Sequence, residues 1–228
     1  MAAVLCMAVL GTAYVLLKKK GKAKALVCKA AATCVPFLLL TADFLSSESG
    51  SPGAVLYGWT AGALLFYIAA DVLLECRFVI GAAAFSCGHI CMAAGFLTGG
   101  ELTNSAGTVP GQTALAAGCL ALTVMFVAAA CLALRKYLPH LKTKRLLLPA
   151  VSYVVILSMM ASLAVSAGIR SGGERGTVTA AGGICFVISD ILLGINRLGR
   201  KRSSARGAAV LILYYISVYL LALRVWAY

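Results

Sequence analysis

Acidic side chains are scarce in this chain. Seven Asp and Glu are set against twenty Lys and Arg, and the four types together make up only 12% of 228 residues. With hydrophobic residues at 62% and a mean hydropathy of +0.97, there is too little polar surface to cover a soluble protein of this size. A soluble globular enzyme is excluded, and the composition is that of an all-α integral membrane protein. Also missing is any basic patch interleaved with aromatics, so the net charge of +13 does not read as nucleic-acid binding. No cysteine lies in an outer connection. The nine cysteines (6, 28, 34, 76, 87, 91, 119, 131 and 185) fall in or beside apolar segments, where a buried thiol acts as a small hydrophobe. Cys87-Gly88-His89-Ile90-Cys91 has the look of a metal motif, but on a helix Cys87 and Cys91 share a face while His89 points about 200° away. Neither a metal nor a cofactor is expected. Long connections are lacking too, so any chemistry must occur within the helices or at their mouths.

Eight apolar runs are long enough to cross about 30 Å of hydrocarbon as helices: 2–17, 25–45, 54–75, 78–98, 112–134, 146–168, 176–196 and 207–227. The first has no basic segment ahead of it and is followed by Lys18, Lys19 and Lys20, an order that predicts a retained helix with its N-terminus outside. Alternate connections carry sixteen of the twenty basic residues, in clusters such as Arg135 to Arg145 and Arg197 to Arg206. The other side holds Arg170, Arg175 and Arg224 with Glu48, Glu101 and Glu174. By the positive-inside rule the basic connections are cytoplasmic and both termini lie on the non-cytoplasmic side. The outer connections, 46–53 and 99–112, read as Gly/Ser/Pro/Thr turns, and Tyr57, Trp59, Trp226 and Tyr228 as an interfacial aromatic belt. The minimal loops point to a bacterial plasma membrane, or to the endoplasmic reticulum membrane if the chain is eukaryotic.

Against this background two carboxylates stand out. Tyr67-Ile68-Ala69-Ala70-Asp71-Val72-Leu73-Leu74 and Phe186-Val187-Ile188-Ser189-Asp190-Ile191-Leu192-Leu193 share one pattern, and each half of the chain carries one. They imply an internal repeat within one transmembrane domain (residues 1–110 and 111–228), with two four-helix halves in parallel orientation. An ionised Asp at the centre of a membrane helix costs about 2.5–3.5 kcal/mol, so function is the default explanation. At 1.5 Å per residue, Lys29 and Asp71 lie about 6 Å in from the cytoplasmic helix ends, Asp190, Tyr153 and Tyr214 about 10 Å, and His89 about 16 Å. Several helices thus bring polar groups to one layer, whereas the outer half offers little besides Asp43. Each group has a plainer reading: Lys29 snorkelling to the interface, Asp71 pairing with Lys29 or Arg77, His89 as a hydrogen-bonded core residue. Taken together they are ingredients for acid–base hydrolysis, and equally for a proton-linked transporter of a small molecule or lipid.

In order and spacing, these residues resemble the YhhN-like lysoplasmalogenase family of eight-helix membrane proteins. The resemblance covers the second to eighth runs. It rests on Lys29, Asp71-Val72-Leu73-Leu74, Gly88-His89, Ser189-Asp190-Ile191-Leu192-Leu193 and Tyr214-Tyr215, with Phe78-x-x-Gly81-x-x-x-Phe85-x-x-Gly88-His89 the most specific stretch. Ala30, Ala70, Met92 and Val218 depart from the pattern, which expects Pro, Gly, Tyr and Gln there; Met92 and Val218 are expected to line the pocket. The resemblance implies hydrolysis of the vinyl ether of a lysoplasmalogen to a fatty aldehyde and glycerophosphocholine or glycerophosphoethanolamine. Asp71 and Asp190 would then be the catalytic pair, with Asp190, taken as the deeper and more desolvated, as the acid. Lys29, His89, Ser189, Tyr153, Tyr214 and Tyr215 would support them or bind substrate. The partner implied is a lysophospholipid within the membrane; no protein partner is evident. A third class, a lipid-binding scaffold, predicts that both acids are dispensable.

Overall fold

The computed structural model describes the chain except for residues 1, 19, 47–52, 101, 103–108, 144, 200–201 and 227–228, and side chains also except 109–112, 140, 143 and 226. Among the described residues all regular structure is helical: α1 (Ala2–Leu17), α2 (Lys22–Ser46), α3 (Ala54–Cys76), α4 (Phe78–Thr98), α5 (Val109–Leu134), α6 (Leu138–Thr143), α7 (Leu147–Ser171), α8 (Gly173–Leu198) and α9 (Ser204–Trp226). Seven of these helices are long and apolar enough to cross a membrane. This is a multi-pass membrane protein. With 16 residues α1 is shorter than the seven. The outer turns fall largely outside the described residues, as do Tyr228 and the side chain of Trp226.

The helices are divided by very short breaks. Arg77 alone, in extended conformation (φ −140°, ψ 97°), separates α3 from α4. Gly172 alone ends α7, at φ 62° and ψ −174°, a conformation in which a Cβ would be strained. The basic connection between α5 and α7 differs from the expected loop. It folds into a 3₁₀ turn (Arg135–Tyr137) and α6, because Leu138 and Leu141 give it an apolar side; Leu141 is 6% exposed.

Between helices in lipid the hydrophobic effect supplies little, so close backbone approach and hydrogen bonds must hold the bundle. Gly81, Gly88 and Gly95 recur every seven residues along α4. A Cβ on Gly81 would fall 2.4 Å from the backbone nitrogen of Leu74, and one on Gly88 would fall 2.4 Å from the Tyr67 ring. Gly168 and Gly176 bring α7 and α8 together in the same way. Hydroxyls tie helices directly: Ser217 donates to the Gly182 carbonyl (2.8 Å), and Thr123 and Ser162 lie 2.6 Å apart. Outward, Leu16, Leu38, Leu120, Leu132, Leu148 and Ile169 are exposed, as a lipid-facing surface requires.

One expectation is corrected in the outer half. Beyond Asp43, which is exposed, that half contains Arg224, wholly buried, donating to Thr60 Oγ1 (3.2 Å) with its Cζ 3.7 Å from the centre of the Phe96 ring. A guanidinium tolerates this because the ring face and the hydroxyl replace part of its hydration.

Candidate active site

The two carboxylates of the matching octapeptides are held by separate sets of partners. Asp71 on α3 is wholly buried. Its Oδ1 lies 3.1 Å from Lys29 Nζ, an ion pair held by charge rather than by hydrogen-bond alignment, and its Oδ2 accepts from Thr33 Oγ1 (2.5 Å) and Tyr214 Oη (3.0 Å). Lys29 and Thr33 are four apart on α2 and therefore share one face, which presents cation and hydroxyl to the same acid. Lys29 is only 5% exposed, so it pairs with Asp71 and does not snorkel to the interface.

Asp190 on α8 accepts a short hydrogen bond from Tyr153 on α7 at Oδ2. His89 on α4 stands beside both: Nε2 is 3.5 Å from Tyr153 Oη and 3.9 Å from Asp190 Oδ2, while Nδ1 is 3.0 Å from Tyr67 Oη. The order Tyr67, His89, Tyr153, Asp190 is a continuous line of polar groups from α3 to α8. Phe85 and Phe186 separate this line from the Asp71 set, each ring packing against both His89 and Tyr214.

Of the two acids, Asp190 lines the larger of two cavities among the described residues, and Asp71 lines neither. A space of about 260 Å³ opens between α3, α4, α5, α7 and α8, and its lining includes Asp190 and Tyr153 but neither Asp71 nor Lys29. The walls are almost entirely apolar. Asp190, Gly194 and Arg197 lie at i, i+4 and i+7 along α8, so carboxyl, gap and guanidinium succeed one another on one face of the cavity. Arg202 stands with Arg197 at the mouth. A smaller recess of about 40 Å³ between α5, α6 and α7 shares Ala130, Leu134 and Val154 with it.

Comparison with known proteins gives the family. The profile of the YhhN family matches residues 28–225. The chain belongs to the YhhN family. Relatives named lysoplasmalogenase, from Mycobacterium bovis and Mycobacterium tuberculosis, are each 33% identical to it over 144 residues, covering 61% of this chain and 49% of theirs. The chain thus spans about half the length of the curated relatives it matches. No solved structure matches it.

Within this YhhN-family chain the expected site residues divide. Asp190, His89 and Tyr153 come together at the cavity; Asp71, Lys29 and Tyr214 come together in the sealed set. Ser189 and Tyr215 join neither carboxylate. Ser189 donates to the Val210 carbonyl (2.9 Å), turned about 100° from its neighbour Asp190, and Tyr215 donates to the Lys29 carbonyl at 3.5 Å. The desolvation order is the reverse of that expected: the Asp71 side chain is 0% exposed and that of Asp190 8%, because the cavity meets Asp190. Met92 and Val218 do not line the cavity; both are wholly buried core residues.

Sequence reasoning missed Thr33, Tyr67 and Glu75. Each is four residues from a residue it did single out, Lys29 or Asp71, so helical spacing was the available signal. Glu75, one turn beyond Asp71, accepts from Arg197 Nη2 (2.8 Å), Lys18 Nζ (3.1 Å) and Tyr14 Oη (3.0 Å).

Proposed function

We propose that this protein is a membrane hydrolase that cleaves the vinyl ether of lysoplasmalogens, with Asp190 as the general acid. The observation that carries the reading is a single carboxyl at the inner end of an apolar cavity whose mouth is basic. Such a shape suits an amphiphile with one apolar chain and an anionic head. The names of the mycobacterial relatives support the same substrate class.

The chemistry follows from the groups at hand. Tyr153 engages Oδ2 of Asp190 and leaves Oδ1 to carry a proton into the cavity. Transfer of that proton to the β-carbon of the vinyl ether breaks the C=C π bond and leaves an oxocarbenium ion. Water adds to the cationic carbon, its proton returns to the Asp190 carboxylate, and the hemiacetal collapses to a fatty aldehyde and the glycerol hydroxyl. The nascent cation is stabilised by the Asp190 carboxylate itself, which serves in turn as acid and as base where glycosidases divide the work between two carboxylates. His89 and Tyr153 orient the acid and the water. Asp71, screened by Phe85 and Phe186, acts as a positioning residue: with Lys29 it fixes α2, α3 and α9 around Tyr214. The alkenyl chain passes between α5 and α7 through the smaller recess, whose lining is wholly apolar. In this reading α1 is an eighth span, both termini lie outside and the basic mouth faces the cytoplasm.

The test is aldehyde release from 1-alkenyl lysophospholipid by purified protein in detergent without any ion gradient. Wild type is expected to turn over and Asp190→Asn to lose about 10²–10⁴-fold in kcat. Failure of the wild type would remove the hydrolase and leave the proton-linked transporter, which has nothing to do in the absence of a gradient.

A further inference from the structure

Among the described residues, Lys29 pairs with Asp71, and Arg197 and Arg202 share a cavity with Asp190. Lys29 is consumed by Asp71 and lies behind the aromatic partition, so it cannot meet a ligand in the cavity. Arg197 and Arg202 do line it. Arg197 is also built into place: Glu75 of α3 accepts from its Nη2 at 2.8 Å, and Phe78 packs 5.8 Å from its Cζ. Lys18 and Tyr14 donate to the same Glu75 Oε1, so groups from α1, its following residue, α3 and α8 meet at the oxygen that holds the guanidinium.

We infer that Arg197, with Arg202 beside it, is the binding site for the phosphodiester of a lysophospholipid, anchoring the head group at the cavity mouth. This inference rests on the hydrolase reading for the ligand's apolar chain, but its geometry is independent of turnover. A guanidinium has five donors in a rigid fork, and one edge is committed to Glu75. The remaining donors suit two oxygens of one phosphate. Spacing agrees. Asp190 and Arg197 are two helical turns apart, about 10 Å along α8, and the arginine side chain is long enough to reach part of the way back. In a glycerophospholipid five bonds separate the ether oxygen from phosphorus, about 6 Å when extended. A phosphate at Arg197 therefore sets the vinyl ether at Asp190, with the glycerol against Gly194 and the flexible Leu134 side chain, which both line the cavity between them. The site thus sets register: the head group determines which bond lies against the acid.

Binding to a ligand that cannot be hydrolysed separates this inference from the hydrolase reading. The saturated ether 1-O-hexadecyl-glycerophosphoethanolamine and the neutral 1-O-hexadecylglycerol would be titrated against the purified full chain in detergent. The phosphate lipid should bind about tenfold or more tightly. Arg197→Gln and Arg202→Gln should each reduce that preference, and the double variant should abolish it, with hexadecylglycerol binding unchanged. Thermal denaturation of each variant reports on folding, and the exposed Arg202 supplies a variant whose loss leaves the Glu75 cluster intact. Equal affinity of wild type for the two lipids, or equal weakening of both by the substitutions, would overturn the inference. Competition by millimolar inorganic phosphate as effective as that by the lipid would also overturn it, since the site would then be one for free anions. Phosphate-dependent binding without aldehyde release would leave this site standing while removing the hydrolase.

Discussion

Asp71 answers to side chains from α2 and α9 and is wholly enclosed by them, whereas Asp190 answers to a phenol and an imidazole and opens onto a cavity. The octapeptides around them are alike, so the difference is not local. It arises from what the neighbouring helices deliver. α2 brings Lys29 and Thr33 to α3, which closes the first acid in an ion pair with two hydrogen bonds. α4 and α7 bring His89 and Tyr153 to α8, which hold the second acid without supplying a cation, and an apolar cavity lies in front of it. A carboxylate buried with a lysine is a structural commitment, since its desolvation is offset only while the partner stays. A carboxyl at a cavity wall remains available to a substrate.

The sharpest break of this comparison is a pair of exchanges. Asp190→Asn should abolish aldehyde release, by about 10²–10⁴-fold, while leaving the denaturation temperature nearly unchanged because the amide still accepts from Tyr153. Asp71→Asn should do the opposite at first sight: it strands Lys29 in the bundle, at a cost of about 3–5 kcal/mol, and the protein should lose yield and thermal stability. The double variant Lys29→Met with Asp71→Asn removes both charges. If Asp71 only positions, the double variant regains stability and most of its activity. If it is folded but inactive, Asp71 belongs to the chemistry and the division between the two acids is wrong.

How much of this was visible beforehand follows the same division. Composition and hydropathy identify the membrane helices because lipid demands long apolar runs, and the structure places seven of them close to the expected limits. That Lys29, Asp71, His89, Tyr153 and Asp190 belong to polar sets inside the bundle was legible because polar groups in lipid are costly enough to be noticed. What was not legible is which of them face a cavity. Phe85 and Phe186 look like any core aromatic, yet their position between His89 and Tyr214 is what seals one acid from the other. That depends on how α3, α4, α8 and α9 are rotated, which no single helix records. Glu75 was overlooked because an acid near a basic helix end looks like ordinary interfacial charge; its use as the clamp on Arg197 involves a residue 122 positions away.

The comparison can be sharpened further on the Asp190 side. Tyr153→Phe removes the hydrogen bond that the phenol donates to the acid and frees its rotamer, so kcat should fall about 10–100-fold with KM little changed. The corresponding change in the sealed set, Tyr214→Phe, leaves Asp71 still held by Thr33 and Lys29. It should lower stability by about 1 kcal/mol and alter kcat by less than Tyr153→Phe does. A larger kinetic effect at Tyr214 than at Tyr153 would reverse the assignment.

The smallest effect expected is at Gly194. A Cβ there would lie 3.2 Å from the Leu134 side chain, tight but against a flexible group of α5, so Gly194→Ala should fold and cost little. It narrows the face between Asp190 and Arg197, where the glycerol backbone must pass, without touching either group. A twofold to fivefold rise in KM, with kcat nearly constant, is the expected signature of a crowded approach to intact chemistry. Steady-state kinetics on 1-alkenyl lysophospholipid reads it directly. Since Asp71, Lys29 and Tyr214 do not line this cavity, no comparable small substitution at their contacts should raise KM in the same way. A fall in kcat alone for Gly194→Ala would mean that the glycine matters for how α8 presents Asp190, and not for the passage of substrate.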